Sequence, residues 1–152
     1  MLPDATVIKS ILDAAGVPCE LEESTLGVIA HVPHDRTVAA LQALRDSDLD
    51  FRMLVDLLGT DTTEEIQVTY HLRSFSRDEE VFVRTSVEYD GELPSVWSVY
   101  ASALMPERET AELFGLVLSG HPNPRRLLTT DGIEPLLRKS VPIRTAEEVR
   151  AR

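Results

Sequence analysis

The chain has few of the features that carry redox chemistry or cross a membrane. Cys19 is the only cysteine among 152 residues, so a disulfide within the chain is impossible, and an iron–sulfur cluster would lack most of its about four ligands. The longest largely apolar stretch, residues 113–118, is much shorter than the roughly 18 residues of a membrane-spanning helix. The N-terminus lacks a basic region followed by an apolar core, so we predict no signal peptide. These absences predict a protein of the cytoplasmic side that reaches a membrane only through a partner.

The net charge of −11 is distributed unevenly. Residues 121–152 hold seven basic and four acidic side chains, whereas residues 1–120 hold eight basic and 22 acidic ones. The acidic body argues against a nucleic-acid partner, because most of its surface would repel phosphates. The basic C-terminal part favours an acidic partner. On electrostatics alone, it could equally fold back onto its own acidic body.

Apolar periodicity predicts alternating helices and strands along the first 119 residues. A helix begins at Asp4 and ends at Gly16, and a second helix begins at Asp35, its predicted N-cap. Gly115 ends the last helix, which begins at Pro106. Two-residue alternation predicts half-buried strands. The predicted strands cover residues 17–22, 26–32, 51–58, 65–72 and 81–89, and a further helix covers residues 95–104.

This order of elements predicts an α+β domain over residues 1–119, with helices packed on one face of a mixed, largely antiparallel sheet. Pro122, Pro124, Pro135 and Pro142 follow within 21 positions, and their spacing precludes long regular structure. We therefore predict that residues 120–145 are irregular and extended, within a basic C-terminal docking arm that covers residues 120–152. Ordering a free arm is entropically unfavourable, so we expect it to be fixed against another surface.

Charged residues cluster where the domain meets the arm. Acids in a first helical turn, here Glu107 and Glu109, are either solvated near the helix dipole or include one buried carboxylate paired with Arg108. Arg108 and Glu112 are one turn apart and can also pair. Glu107 and Glu109 have no evident positioned partner for acid–base catalysis. His121 has no further potential metal ligands at a suitable spacing. The chain also lacks a phosphate-binding loop and a nucleophile elbow, so we predict no active site.

Arginines interleaved with leucines on an irregular arm are typical of a contact surface rather than of a merely solubilising one. We expect the arm to dock on another protein of a complex. The residues predicted to form this interface are Glu107, Arg108, Glu109, His121, Arg125, Arg126, Arg138 and Lys139.

The order of these motifs resembles the signature of a known family. Residues 107–115 read ERETAELFG, residues 120–122 read GHP, residues 125–128 read RRLL and residues 135–139 read PLLRK. This run resembles the 30 kDa-type C subunit family of NADH–quinone oxidoreductase, or respiratory complex I, which also occurs in energy-converting membrane hydrogenases. Similarity extends over most of residues 25–144.

The resemblance implies a non-catalytic assembly subunit in the hydrophilic arm of a redox complex, with no flavin, metal or cluster of its own. Its implied partners are the large catalytic subunit, a small iron–sulfur subunit and a ferredoxin-like iron–sulfur subunit. Two alternatives remain at this point. One is the equivalent subunit of a membrane-bound nickel–iron hydrogenase, and the other is a freestanding α+β enzyme that uses Glu107, Glu109 and His121.

Overall fold

The computed structural model describes residues 2–150 and centres on a five-stranded sheet. Its strands are β1 (Glu20–Ser24), β2 (Gly27–His31), β3 (Met53–Asp61), β4 (Ile66–Ser74) and β5 (Glu79–Val87). They lie in the order β1-β2-β5-β4-β3, with β2 and β5 parallel and the other neighbours antiparallel. The predicted α+β class with a mixed sheet is therefore confirmed.

Helices α1 (Ala5–Ala14) and α2 (Thr37–Asp46) bury apolar stripes that join the core of the sheet. The carboxylate of Asp4 accepts the N–H of Thr6, as predicted for the residue that begins α1. The sheet buries every second side chain of β4 and β5, because successive strand residues point to opposite faces. The core side chains of these elements are Ile8, Leu12, Leu41, Leu44, Ile66, Val68, Tyr70, Leu72, Val81, Val83 and Val87.

The predicted N-cap of α2 is wrong. Residues His34–Arg36 form a 3-10 turn, so α2 begins at Thr37 and Asp35 precedes it by two residues. The hydroxyl of Thr37 donates to the carbonyl of His34 at 2.8 Å and so bonds back into the 3-10 turn. This local bond adds a turn that apolar periodicity does not show.

The predicted helix over residues 95–104 is also wrong. Turns and a single 3-10 turn, Ala101–Ala103, occupy this segment, and α3 (Leu104–Phe114) begins two residues before Pro106. Pro106 is tolerated there because the first N–H groups of a helix have no partner within it. Gly115 ends α3 with a φ of 75°, as expected for a left-handed cap.

Short elements surround the C-terminal segment. Strands β6 (Glu92–Pro94) and β7 (Val117–Ser119) form a parallel pair, and α4 (Ala146–Arg150) follows the arm. Three-residue strands have too little alternation to be predicted. Residues 120–145 contain neither helix nor strand, which confirms the predicted irregular segment. Within residues 2–150, no helix combines the length and the apolar character needed to span a membrane.

Candidate docking site

The irregular segment 121–144, called the strap below, crosses the surface beside α3 and the end of β3. It is held by polar side chains of the body that bind its backbone, and by one of its own arginines that binds the backbone of the body. Residues far apart in sequence make these contacts, and the basic segment folds back onto acidic side chains of its own body.

Glu112 on α3 binds three consecutive backbone N–H groups of the strap. Its carboxylate accepts from Leu127 and Leu128 at 2.9 Å each and from Thr129 at 2.6 Å. It also accepts from the Thr129 hydroxyl. Burial opposes ionisation of this side chain, but the four hydrogen bonds outweigh burial and lower the pKa of Glu112 to about 2. A buried carboxylate therefore organises the turn at 127–129.

Arg108, one turn earlier on α3, binds the carbonyl groups that immediately precede this turn. Its Nε donates to the Arg125 carbonyl at 2.7 Å and its Nη2 to the Arg126 carbonyl at 2.9 Å. The predicted pair between Arg108 and Glu112 does not form. Each side chain instead binds strap backbone groups of complementary polarity.

Arg138 fastens the other end of the strap to the C-terminus of α3. Its guanidinium donates to the carbonyls of Phe114 and Gly115 at 2.7 and 3.0 Å, and to the Asp90 carboxylate at 2.9 Å. Its Cζ lies 4.9 Å from the centroid of the Tyr89 ring. A cation at a helix C-terminus satisfies free carbonyls and complements the dipole, so Arg138 caps α3.

Asp61, at the end of β3, binds the backbone next to Arg138. Its carboxylate accepts the N–H of Lys139 at 2.8 Å, the hydroxyl of Tyr89 at 2.5 Å and the N–H of Thr63 at 2.7 Å. The Tyr89 hydroxyl, followed by the Lys139 N–H, lowers the pKa of Asp61 below its ordinary value. Sequence reasoning does not find Asp61 or Glu112 as site residues, because their partners lie 78 and about 16 positions away.

Glu107 lies inside the domain. Its side chain is fully buried and accepts the N–H of Val96 at 2.6 Å and the hydroxyl of Ser95. Burial raises the pKa of Glu107, and the two hydrogen bonds oppose that rise. Glu107 therefore fixes the turn at 95–96, and it can influence a docked partner only through the position of that turn.

His121 is also buried, and its hydrogen bonds define its tautomer. Its Nδ1 accepts from the N–H of Asn123 at 2.9 Å, so the ring proton lies on Nε2, which donates to the Leu104 carbonyl at 2.9 Å. Its Nε2 is 3.9 Å from the Glu107 carboxylate. His121 thereby joins the beginning of α3 to the beginning of the strap.

The remaining predicted residues differ in their surroundings. Arg126 donates to the Thr129 hydroxyl and to the Ile133 carbonyl, and lies 3.6 Å from Glu112, so it stabilises the strap from within. Glu109, Arg125 and Lys139 are exposed. A role in an interface with another protein stays a prediction for all eight residues.

Because its backbone is held by the body, the strap presents side chains outward. Leu128, Leu136 and Leu137 are about half exposed or more, and Ile143 is fully exposed. A concavity of about 500 Å³ in the strap is lined by residues that include Ile133, Leu136, Val141 and Ile143. Exposed apolar side chains around a concavity on a basic segment are typical of a protein-binding surface.

An α+β domain that holds an irregular basic strap, with apolar side chains outward, is the class of protein that this structure defines. The chain belongs to the family of the 30 Kd subunit of respiratory-chain NADH dehydrogenase, whose family model matches residues 30–147. The resemblance predicted from the motifs is therefore confirmed.

Relatives agree with this assignment, and a solved structure shares the fold. The chain is 39% identical over 122 residues to the NADH-quinone oxidoreductase C subunit of Phenylobacterium zucineum (strain HLK1), covering 78% of this chain and 58% of the relative. It is 35% identical over 148 residues to that of Maricaulis maris (strain MCS10), covering 94% and 73%. An archaeal respiratory membrane complex, the membrane-bound sulfane sulfur reductase, contains a chain with the same fold, with a TM-score of 0.74, 22% identity, and coverage of 96% of this chain and 88% of that one. The chain thus spans between about half and three quarters of the length of these two relatives.

Replacing Glu112 by glutamine is expected to loosen the strap locally without unfolding the domain. Glutamine keeps one acceptor oxygen and replaces the other by an N–H₂ group, so either the N–H groups of Leu127 and Leu128 or that of Thr129 lose their acceptor, and the remaining bonds lose the charge of the carboxylate. Hydrogen exchange should accelerate about tenfold or more at the positions that lose their acceptor and less at the others of 127–129, with little change in the melting temperature. The matched control is Glu109→Gln on the exposed side of α3, which should leave exchange at these positions unchanged.

The same bonds predict a pH dependence of strap protection. A carboxyl whose folded pKa is lowered stabilises the native state above its ordinary pKa of 4.5, and this contribution is lost as pH falls through about 2. Protection factors at 127–129 should therefore fall between about pH 4 and pH 2 in the parent chain. The Glu112→Gln variant should lack this pH dependence, and an identical dependence in both chains would contradict the assigned role of Glu112.

Proposed function

We propose that the chain is a non-catalytic structural subunit of the hydrophilic arm of a complex I-like NADH–quinone oxidoreductase. The observation that carries the proposal is the way the strap is held. Glu112, Arg108 and Asp61 bind its backbone, and the side chains of Arg125, Leu128, Leu137 and Ile143 remain exposed. A segment fixed before binding loses less conformational entropy on docking than a free one.

The partner proposed for the strap is the large catalytic subunit, which forms the quinone site in complex I. A small iron–sulfur subunit and a ferredoxin-like iron–sulfur subunit are its proposed neighbours in the complex. The chain itself would carry no flavin, metal or cluster, and its single cysteine fits that role. We place it at the cytoplasmic face of the membrane, bound peripherally through the complex.

The two alternatives receive less support. The relatives cited above are named as subunits of NADH-quinone oxidoreductase, which favours that host over a hydrogenase. A freestanding enzyme would need Glu107, Glu109 and His121 in one accessible site. Glu107 and His121 are instead buried and engaged with backbone groups, and Glu109 is exposed.

The test is a double substitution that changes only outward-facing groups of the strap. Arg125→Glu combined with Ile143→Glu should reduce the amount of partner proteins that co-purify with the tagged chain by about tenfold or more. Arg126 is left intact, because a glutamate there would repel Glu112 and disturb the strap itself. Native isolation in mild detergent followed by quantitative mass spectrometry measures the loss.

A matched control makes the same two changes in chemistry on α1. Val7→Glu combined with Lys9→Glu replaces one exposed apolar and one exposed basic side chain on a helix that makes none of the contacts holding the strap. This variant should retain its partners, and both variants should keep the melting temperature within a few degrees. Undiminished co-purification of the strap variant would contradict the proposal.

A further inference from the structure

We propose that the opposite end of the sheet carries a second docking surface, for a protein other than the partner of the strap. This surface, called the turn-end patch, consists of Leu2, Leu26 and Phe75 around Arg73. The inference rests on the proposed function in one respect, because it takes the chain to be part of a complex of several different proteins.

The strand order brings the turn-end patch together. Val28 of β2 pairs with Val81 of β5 in parallel, so the turn that precedes β2 lies beside the beginning of β5. The turn between β4 and β5, which contains Phe75, lies at the same end. The Lys139 end of the strap is fastened at the other end of the sheet, where its N–H binds Asp61, the residue that pairs with Ile66. Strand β4 has nine residues, so the two ends are about 30 Å apart at about 3.4 Å per residue.

The apolar side chains of the patch are more exposed than folding requires. Leu26 is 75% exposed, Phe75 70% and Leu2 56%. A concavity of about 360 Å³ is lined by Leu2, Leu26, Arg73 and two acids, Asp78 and Glu80. This volume suits one or two inserted side chains. Two exposed leucines and a phenylalanine brought together at one end of the sheet mark an interaction site, whereas exposed apolar residues scattered singly are ordinary.

Charge identifies the chemistry of the occupant. Arg73 is already paired, with Glu80 and Asp78 at 2.7 Å each, and its Cζ lies 5.6 Å from the Phe75 ring centroid. Arg77 donates to the Asp48 carbonyl. Against these two arginines, the neighbouring strands and turn contribute four acids, namely Glu23, Asp78, Glu79 and Glu80.

An acidic rim around an apolar centre fits a polypeptide segment that inserts an aliphatic or aromatic side chain next to a lysine or arginine. The rim repels an anionic membrane surface. A second copy of this chain would place the same acids against each other, so self-association is disfavoured. The distance from the strap favours a different protein of the complex as the occupant.

Site-specific photocrosslinking in the assembled complex tests the proposal. A benzoyl-phenylalanine at position 75 is compared with one at position 143, each in the full chain within its native complex. Crosslinked peptides are identified by mass spectrometry. The expected result is that position 75 joins a polypeptide different from the one joined by position 143, at a segment with apolar and basic side chains.

Each other outcome overturns the proposal. Crosslinks from position 143 without any from position 75 would show that the turn-end patch is open in the complex. A crosslink from position 75 to the partner of the strap, or to a second copy of this chain, would exclude a second partner there. If neither position crosslinks although the chain is folded, the proposed function fails together with the second docking surface. If only position 75 fails to crosslink, the second docking surface alone is excluded.

Substitution gives an independent measurement. Leu26→Ser combined with Phe75→Ser should reduce retention of the second partner about tenfold, while the partner of the strap is retained. The control Val7→Ser on α1 should retain both. Unchanged retention of every partner by the double variant would overturn the proposal, and a melting temperature close to that of the parent chain verifies that the double variant is folded.

Discussion

Replacing Glu107 by alanine is expected to lower the free energy of unfolding by about 3 kcal/mol. The substitution leaves the N–H of Val96 and the hydroxyl of Ser95 without an acceptor in a buried site, and it opens a cavity. In a chain of this size, the melting temperature should fall by about 6–12 °C. Urea denaturation and calorimetry measure the two quantities.

The matched control is Glu107→Gln, which keeps the shape and the acceptor for Val96 and turns its N–H₂ toward the Ser95 oxygen. We expect a much smaller loss for this variant. Equal losses for alanine and glutamine would show that the hydrogen bonds of Glu107 contribute little.

The contribution of Glu107 to stability should depend on pH in a definite direction. Burial raises the pKa of Glu107 in the folded chain above its ordinary 4.5. Native protein therefore binds this proton more tightly than unfolded protein does, and the contribution of Glu107 to stability declines as pH rises from about 4.5 through the folded pKa. Glutamine does not titrate, so the stability of Glu107→Gln should rise relative to that of the parent chain as pH rises over that interval.

The first half of the fold could be predicted because its signals are local. The two-residue alternation of β4 and β5 reflects burial of one face, and Asp4 and Gly16 mark the limits of α1 with side-chain and backbone chemistry of their own. The irregular course of the strap follows equally directly from its prolines.

The segment 95–104 could not be predicted in the same way. The segment buries the side chains that helical spacing predicts, namely Val96, Val99, Tyr100 and Ala103. Its backbone, however, forms turns and a 3-10 turn instead of an α-helix. Glu107, 11 positions after Val96, holds the backbone N–H of that residue outside a helix. Apolar periodicity indicates which side chains face the core, but it cannot indicate that a carboxylate distant in sequence binds the backbone.

The contacts of the candidate docking site are even harder to predict from sequence. The motifs identify Arg108 and Arg138, whose real partners are carbonyl groups. Every amino acid has a carbonyl and almost every one an N–H, so sequence letters at 125–129 cannot indicate that these groups are bound. Local spacing favours the pair of Arg108 with Glu112, but the tertiary contacts offer each residue two or more backbone partners instead.

Replacing Gly115 by alanine is expected to destabilise the chain by about 3 kcal/mol, because it combines backbone strain with displacement of Arg138. Gly115 has a φ of 75°, and a Cβ there would lie 2.5 Å from the Nη2 of Arg138 and 2.7 Å from the Cγ of Pro135. An L-residue in the left-handed region costs about 1 kcal/mol. The remaining loss of about 2 kcal/mol comes from the hydrogen bonds that Arg138 makes to Phe114 and Gly115.

Gly120 provides a matched control within the same chain. Its φ is 74°, and a Cβ there would meet no atom within 4 Å. Gly120→Ala should therefore cost only the backbone strain of about 1 kcal/mol. The additional loss of stability in Gly115→Ala measures the cost of displacing Arg138. Hydrogen exchange at the N–H of Lys139, which donates to Asp61, should accelerate in Gly115→Ala and not in Gly120→Ala. Equal destabilisation by the two substitutions would mean that Arg138 moves aside without cost, and that the strap depends on Glu112 and Asp61 instead.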